Sequence, residues 1–170
     1  MLHEHEITYC VVMKERKGME DIISSYNYIC TPIVQFLKSV HVDARFVPIN
    51  DIVAGGRKIS GSAQTRRKGT VMQHGTLLLR VDPVRMFSLL RVGKEKIRGK
   101  AIRNIEERVT SLERETGREW QSKEVMNMLT KYFARHFNAR LVEDKLNSFE
   151  RKEKIMLIKK YRSEEWNFMR

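Results

Sequence analysis

Cysteine and proline are scarce in this sequence: 170 residues contain two cysteines, Cys10 and Cys30, and three prolines. Two cysteines cannot build a four-cysteine zinc site or a disulfide-rich scaffold, so we expect reduced thiols in a cytoplasmic protein. Apolar runs are also short, since none approaches the ~18 residues that span a bilayer. The first residues lack the basic flank and the apolar stretch of a signal peptide. A secreted or membrane-embedded protein is therefore not expected.

Acidic residues are nearly absent from one stretch of the chain. Residues 57–100 hold 12 basic and 2 acidic residues, whereas residues 1–56 carry a net charge of −2 and residues 101–170 one of +4. A localised positive field favours an anionic partner: a nucleotide, a nucleic acid or an acidic protein surface. Aromatic residues, which stack on bases, make up 8% of the chain, and Phe87 alone lies in the basic stretch. A nucleic-acid partner is therefore not the first expectation.

The hydrophobic pattern predicts an α+β fold, with a mixed or antiparallel sheet flanked by helices. Period-two runs rich in β-branched and aromatic residues predict strands, and three- and four-residue spacing predicts helices. The predicted strands are 6–13, two short strands within 43–54, then 57–64 and 71–81, and those from residue 43 onward form an antiparallel meander. The predicted helices are 20–40, a short one near 84–91, 105–115, 123–137 and 148–161, with a basic loop at 93–104.

Turn and cap residues set the expected boundaries of these elements. The Gly-Gly pair at 55–56 predicts a tight turn between two strands, and Pro32 predicts a kink or an interruption in the first helix. Ser122 is the predicted N-cap of the helix at 123–137. Asn147, followed three residues later by Glu150, resembles a capping box.

One polar strand face is the first candidate site. Strict alternation places the side chains of Lys58, Ser60, Ser62 and Gln64 on the same face. Beside Gly61 a ligand can approach the backbone closely, and an ammonium with backbone N–H groups suits a phosphate or a polarised acyl carbonyl. The same pattern also fits an exposed lysine on the solvent side of a sheet.

Two further polar pairs each have two interpretations. His74 beside Gly75 in a strand can mark the close approach of a ligand, or it can be a hydrogen-bonded strand histidine. Asn50 and Asp51 precede an apolar pair and could bind a metal ion or make an Asx turn. The residues alone do not decide between these interpretations.

Three sequence elements together are more specific than any one of them. They are Pro-Ile-Asn-Asp at 48–51, Gly-Arg-Lys-Ile-Ser-Gly-Ser-Ala-Gln at 56–64 and Gln-His-Gly-Thr-Leu-Leu at 73–78. Their order and spacing closely resemble the lipoate–protein ligase A family, which belongs to the biotin/lipoate protein ligase superfamily with its class II synthetase-like fold. Leu-His-Glu-His-Glu-Ile-Thr-Tyr at 2–9 and Lys-Tyr-Arg-Ser-Glu-Glu-Trp-Asn at 160–167 resemble the same family.

The resemblance implies an ATP-dependent lipoate–protein ligase. Such an enzyme first joins lipoate to AMP with release of pyrophosphate. It then passes the lipoyl group to a lysine of an acidic lipoyl-carrier domain or of a glycine-cleavage H-type protein. The implied ligands are therefore ATP, Mg²⁺ and lipoate, and the basic stretch at 57–100 agrees with a nucleotide and an acidic carrier.

The resemblance also implies roles for single residues. Lys58 would contact the acyl carbonyl and the α-phosphate, and would stabilise the negative charge that develops there. Asn50 and Asp51 would lie near magnesium and the phosphates, with Asp51 as a magnesium ligand. The other residues expected to line the nucleotide or lipoyl-AMP are His3, Ser60, Gly61, Ser62, Ala63, His74, Gly75 and Thr76.

The chain departs from the family at its amino terminus. The family carries an Arg-Arg-x-Thr-Gly-Gly motif just before the equivalent of Leu2-His3, and here the sequence starts at Met1. We therefore expect a single, amino-terminally incomplete catalytic domain over residues 1–170, without the accessory carboxy-terminal domain of some members. Missing strands would leave an exposed sheet edge, which predicts a complementing amino-terminal segment from another chain, or self-association.

Three alternatives stay open. A cysteine-dependent octanoyl or lipoyl transferase of the same superfamily needs a nucleophilic thiol near the lysine, and neither Cys10 nor Cys30 has an activating base beside it in sequence. The chain could instead be an inactive or partner-dependent fragment, or a basic nucleic-acid-binding module. The choice between lipoate, octanoate and biotin is also open, because the resemblance places much of the acyl pocket in the absent part.

Overall fold

The fold is known from a computed structural model that describes residues 5–82 and 107–169. The chain divides into two compact units, Met1–Ala139 and Arg140–Arg170. The predicted elements at 84–91 and 93–104 lie outside the described residues, as does His3. The expected single partial catalytic domain over residues 1–170 stays a prediction.

The first unit contains a five-stranded antiparallel sheet, counted over the residues that are described. Along the chain its strands are β1 (Glu6–Lys14), β2 (Ala44–Val47), β3 (Asp51–Ala54), β4 (Arg57–Arg67) and β5 (Thr70–Leu78). Their order across the sheet is β1-β5-β4-β3-β2. The sheet confirms the predicted antiparallel arrangement of strands flanked by helices.

Two glycine-containing turns set the register of the meander. Gly55 and Gly56 have φ of +54° and +76°, and Lys68 and Gly69 have φ of +51° and +70°. Positive φ at both central residues is the geometry of the two-residue hairpin turn that matches strand twist, and glycine adopts it without steric cost. The turn predicted at 55–56 is therefore confirmed.

The first helix, α1 (Ile22–Ser39), continues through Pro32, so the interruption that was one of the two predicted outcomes does not occur. Proline lacks the N–H that would donate to the carbonyl of Tyr28 within the helix. The Tyr28 ring packs on His136 of α3 (Ser122–Phe137), with ring centroids 4.6 Å apart, and burial lowers the pKa of His136.

The helices α1 and α3 pack on one face of the sheet and bury the core. Apolar residues of α1 recur at three- and four-residue spacing, and the α3 residues predicted to be apolar face the same core. Phe36 makes edge-on contacts with Trp120 and Tyr132, at ring-centroid distances of 6.3 and 6.1 Å. The largest buried side chains of this core are Phe36, Ile33, Leu37, Ile52, Ile59, Leu77, Leu112 and Val125.

The helix predicted at 105–115 is interrupted, because residues 107–108 are helical and residues 109–111 are not. Val109 lies beside Lys58 in a parallel bridge, and the N–H of Thr110 donates to the Lys58 carbonyl at 2.9 Å. A second helical stretch, α2 (Leu112–Thr116), then follows, and Ser111 caps it. Pairing with a strand edge has overridden local helix propensity here. At α3, the cap residue is Gln121 and not the predicted Ser122.

The second unit consists of two helices, α4 (Ser148–Arg162) and α5 (Glu164–Asn167). The Asn147 side chain accepts from the backbone of Glu150, and the Glu150 carboxylate accepts from the backbone of Asn147. The predicted capping box is thus confirmed. The two helices of this unit have no buried residues, and the Tyr161 and Trp166 rings meet edge-on at 4.9 Å.

A close approach on the helix-covered face depends on Gly75. Tyr9 and Ser62 are both paired with Gly75, and the Tyr9 side chain crosses it to bond the Ser62 hydroxyl at 2.7 Å. A β-carbon at Gly75 would lie 2.7 Å from the Tyr9 ring and 2.8 Å from the Gly61 carbonyl oxygen. Both distances are below van der Waals contact, so only glycine fits without movement.

We expect Gly75→Ala to lower the free energy of unfolding by about 1–3 kcal/mol, because the added methyl displaces a packed ring or backbone. Urea unfolding followed by circular dichroism measures the change. Thr76→Ala, on the next residue of the same strand, is the control and should stay within about 0.5 kcal/mol. Equal stability of the two variants would show that the Tyr9 packing is not as close as described.

Candidate active site around Lys58

A β-bulge decides which way Lys58 points. The pairing matches Val53 with Lys58 and Ile52 with Ser60, so Ile59 has no partner of its own on β3. An extra residue in one strand reverses the alternation beyond it. The prediction that Lys58 shares a face with Ser60, Ser62 and Gln64 is therefore wrong.

Lys58 instead shares a face with Gly61. A β-carbon at Gly61 would lie 2.6 Å from Cε and 2.7 Å from Nζ of Lys58, so the lysine side chain occupies the space that a larger residue would fill. Asp51 is paired with Gly61 across the strands, and its Oδ1 lies 2.6 Å from Lys58 Nζ. The side chains of Lys58 and Asp51 are 43% and 32% exposed, so the pair is accessible from solvent.

The backbone of Lys58 is fixed from the other side. Val109 and Thr110 pair with it, and the neighbouring Arg57 forms an ion pair with Glu115 at 2.8 Å. Glu115 also accepts a hydrogen bond from the Thr110 hydroxyl. The segment after residue 108 thus holds the strand that carries the lysine.

The face that carries Lys58 also carries the exposed side chains of Thr8, Cys10, Ala63 and His74, and we call it the open face. Cys10, His74 and Ala63 are neighbours in one row across β1, β5 and β4. Thr76, which is paired with Gly61, lies in the row beside it and is half-buried. Of the predicted site residues, five are on this face with Lys58: Asp51, Gly61, Ala63, His74 and Thr76.

The other predicted residues are on the helix-covered face or at its edge. Ser60 and Ser62 are buried, and the Ser60 hydroxyl has no hydrogen-bond partner among the described residues. Gly75 lies under Tyr9. The Asn50 amide donates to the Ser62 carbonyl at 2.6 Å, so its amide group joins β4 to the turn before β3. These four residues support the site from behind.

A buried polar network lies on the helix-covered side of the sheet, near Gly61 and Gly75. The Gln73 amide nitrogen donates to the Tyr9 hydroxyl at 3.1 Å and to the Cys30 sulfur at 3.4 Å. Gln64 in turn donates to Gln73 at 3.0 Å. Burial raises the pKa of the Tyr9 hydroxyl, which keeps it a neutral hydrogen-bonding group. The sequence reasoning missed Tyr9 and Gln73 as supporting residues, although a glutamine within an apolar strand was a signal.

The two cysteines differ sharply. Cys30 is fully buried, and burial raises the pKa of its thiol even though hydrogen bonds from Ser62 and Gln73 oppose the shift. Cys10 is exposed on the open face. Its cross-strand partner is His74, which supplies the neighbouring base that the linear sequence did not show. No hydrogen bond joins the Cys10 thiol to His74 in the described structure.

Asp51 does not belong to a metal-binding cluster in the part of the chain that is described. No group of three histidine, cysteine, aspartate or glutamate side chains comes together there. Asp51 Oδ1 is buried. Its contact with Lys58 Nζ is an ion pair by distance but does not have the geometry of a hydrogen bond. Magnesium normally demands an octahedral set of oxygen ligands. The described side chains alone do not supply such a set, and the magnesium role expected for Asp51 stays a prediction.

The arrangement can stabilise negative charge on a ligand laid against the open face. The Lys58 ammonium, held beside Gly61, can approach a polarised carbonyl oxygen closely. Its stabilising effect is greatest where negative charge develops on that oxygen during the reaction. The arrangement suits chemistry in which negative charge develops on an acyl or phosphate oxygen beside Lys58.

Comparison with known proteins agrees with this chemistry. Residues 1–134 match the family model for the lipoyl protein ligase A/B catalytic domain. The octanoyltransferase LipM of Kyrpidia tusciae is 32% identical over 192 aligned residues, which cover 99% of this chain and 70% of that protein. The octanoyltransferase LipM of Geobacillus kaustophilus is 30% identical, with coverage of 100% and 70%.

A solved structure shares the fold. It is a bi-partite lipoate protein ligase with its E2 lipoyl domain from Thermoplasma acidophilum, with a TM-score of 0.84 and 28% identity. The match covers 96% of this chain, which spans 64% of the length of that one. Within the described residues, no helix has the length and apolar character needed to cross a membrane.

These findings correct the expected activity. An ATP-dependent lipoate–protein ligase was predicted, and that prediction is wrong, because the relatives matched along the whole chain are octanoyltransferases. The cysteine-dependent octanoyl transferase, first an alternative, agrees better with them. The family model covers well over half of the residues, so the chain belongs to the lipoyl protein ligase A/B catalytic domain family of protein-modifying enzymes.

Proposed function

We propose that this protein transfers an octanoyl group to a protein lysine on the open face. The observation that carries the proposal is the Lys58 ammonium, held above Gly61 by Asp51 and exposed to solvent. The octanoyltransferases at about 30% identity support the choice of acyl group. Lys58 would polarise the acyl carbonyl and stabilise the oxyanion that forms when an amine or thiol attacks it.

The chemistry requires an activated acyl donor, and a thioester supplies it without ATP. The acceptor amine attacks the carbonyl carbon, a C–N bond forms, and the C–S bond of the donor breaks. The donor leaves as a free thiol that takes up the proton lost by the amine. Lys58 would act only through its positive charge, so it would be chemically unchanged at the end of each turnover.

A thioester on the protein itself would form at Cys10 and not at Cys30. Cys10 is exposed on the face that carries Lys58, and His74 is its cross-strand neighbour. In an antiparallel pair such neighbours have Cβ atoms about 4.5–5.5 Å apart, so side-chain rotation brings thiol and imidazole together. His74 would accept the thiol proton and return it to the departing donor thiol.

The acceptor that best fits the family is the lysine of a lipoyl-carrier domain. The solved ligase from Thermoplasma acidophilum was studied with its E2 lipoyl domain. The excess of basic residues at 57–100 would attract an acidic carrier of that kind. A complementing amino-terminal segment or self-association, expected from the resemblance, stays a further prediction.

We expect Lys58→Ala to lower the rate of octanoyl transfer by about 100–1,000-fold, which is the usual cost of removing one oxyanion-stabilising group. The assay incubates the protein with octanoyl-coenzyme A and a lipoyl domain and detects octanoylated lysine by mass spectrometry. Lys131→Ala, at an exposed position of α3, is the control and should match the wild type. Full activity of Lys58→Ala would show that Lys58 has no role in octanoyl transfer.

The two thiols should differ in native reactivity. Iodoacetamide at neutral pH should label Cys10 and spare Cys30, whose burial and raised pKa leave little accessible thiolate. Cys30 should react fully only after unfolding in urea, which exposes its thiol. Peptide mass spectrometry locates the label. Equal labelling of both cysteines in the native state would contradict the described burial of Cys30.

A further inference from the structure

We infer that Asp51 is the positioning residue of Lys58: its carboxylate holds the ammonium over Gly61 and does not bind a metal ion. This inference rests on the proposed acyl transfer at the same site. It assigns the Asn-Asp pair a role in shaping the site, in place of the magnesium role expected from the sequence.

The first support is the converging geometry. The bulge at Ile59 turns Lys58 to the open face, and Gly61 leaves the slot that the side chain crosses. Asp51 stands across from Gly61, so its carboxylate closes the far end of that slot. The resulting N–O distance is 2.6 Å. The bulge, the glycine and the Asp51 carboxylate thus fix the position of the Lys58 ammonium. The flexible lysine side chain would not hold that position alone.

The second support is the burial of the carboxylate oxygen itself. Asp51 Oδ1 is inaccessible to solvent and has no hydrogen-bond partner in the described residues, so Lys58 supplies its compensating charge. A buried carboxylate oxygen without such a partner is costly. A metal ion that bound Oδ1 would therefore have to displace Lys58 from this oxygen.

The structure also explains why Lys58 alone would be too mobile. Its side chain is 43% exposed, and Asp51 is the one acidic group recorded in contact with it among the described residues. Loss of the carboxylate would leave the ammonium free to sample several rotamers in solvent. Catalysis that depends on a fixed charge falls steeply when that charge is misplaced, whereas apolar binding of the octanoyl chain does not depend on it.

The test compares Asp51→Asn with Asp51→Glu. The asparagine substitution keeps the shape and removes the charge, so we expect kcat for octanoyl transfer to fall about 10–100-fold while KM for octanoyl-coenzyme A changes less than about threefold. Asp51→Glu keeps the charge on a longer stem and should recover part of the lost kcat. Glu124→Gln, which breaks the exposed Arg118–Glu124 ion pair at 2.7 Å, is the matched control and should keep full activity.

A second readout does not depend on activity. Acetic anhydride footprinting with mass spectrometry should modify Lys58 several-fold faster in Asp51→Asn than in the wild type, because the tether is gone, with Lys131 as internal reference. Unchanged Lys58 labelling, or unchanged kcat in Asp51→Asn, would overturn the positioning role. If the wild type transfers no octanoyl group, the proposed function fails, and the footprint alone decides whether Asp51 holds Lys58.

A third measurement separates the metal role. Millimolar MgCl₂, with and without ATP, should leave the melting temperature of the wild type and of Asp51→Asn unchanged. A magnesium-dependent stabilisation of the wild type that disappears in Asp51→Asn would overturn the inference.

Discussion

The packing of the Tyr9 side chain across Gly75 is the constraint on which the rest of the sheet depends. It joins β1, β5 and β4 on the helix-covered face, and its hydroxyl ends in a hydrogen-bonded network with Ser62 and Gln73. The network satisfies the Tyr9 hydroxyl and the Gln73 amide nitrogen within the core on this side of the sheet. On the opposite face Lys58 lies over Gly61 and is accessible from solvent. Under the proposed function, the packed face would support the open face as a rigid surface for a substrate.

Hydrophobic pattern and turn chemistry predict most of this fold. The meander, the turn at 55–56, the apolar face of α3 and the capping box at Asn147 all depend on local sequence, and each is confirmed. The helix predicted at 105–115 fails where a tertiary contact, which local sequence does not encode, decides the structure. Residues 109–110 pair with the edge of β4 instead of continuing a helix.

The site predictions also divide into those that local sequence supports and those that depend on contacts between strands. Motif order singled out Lys58, Gly61 and Asp51, which the structure brings together. Strict alternation placed Lys58 on the wrong face, because a single unpaired residue, Ile59, reverses the pattern. The activity was also assigned wrongly from the resemblance, since proteins similar to this chain include both octanoyltransferases and a lipoate protein ligase, and a shared fold does not decide between them. Cys10 and His74 are 64 positions apart in the chain, so only strand pairing could show that they are neighbours.

The account depends on one claim: the acyl carbonyl binds on the open face within reach of Lys58. The most direct test is a crystal structure of the protein with a thioether analogue of octanoyl-coenzyme A that keeps the ketone but cannot release a thiol. The account predicts the ketone oxygen within hydrogen-bonding distance of Lys58 Nζ, above Gly61. An analogue bound away from Lys58, or on the side covered by α1 and α3, would contradict it.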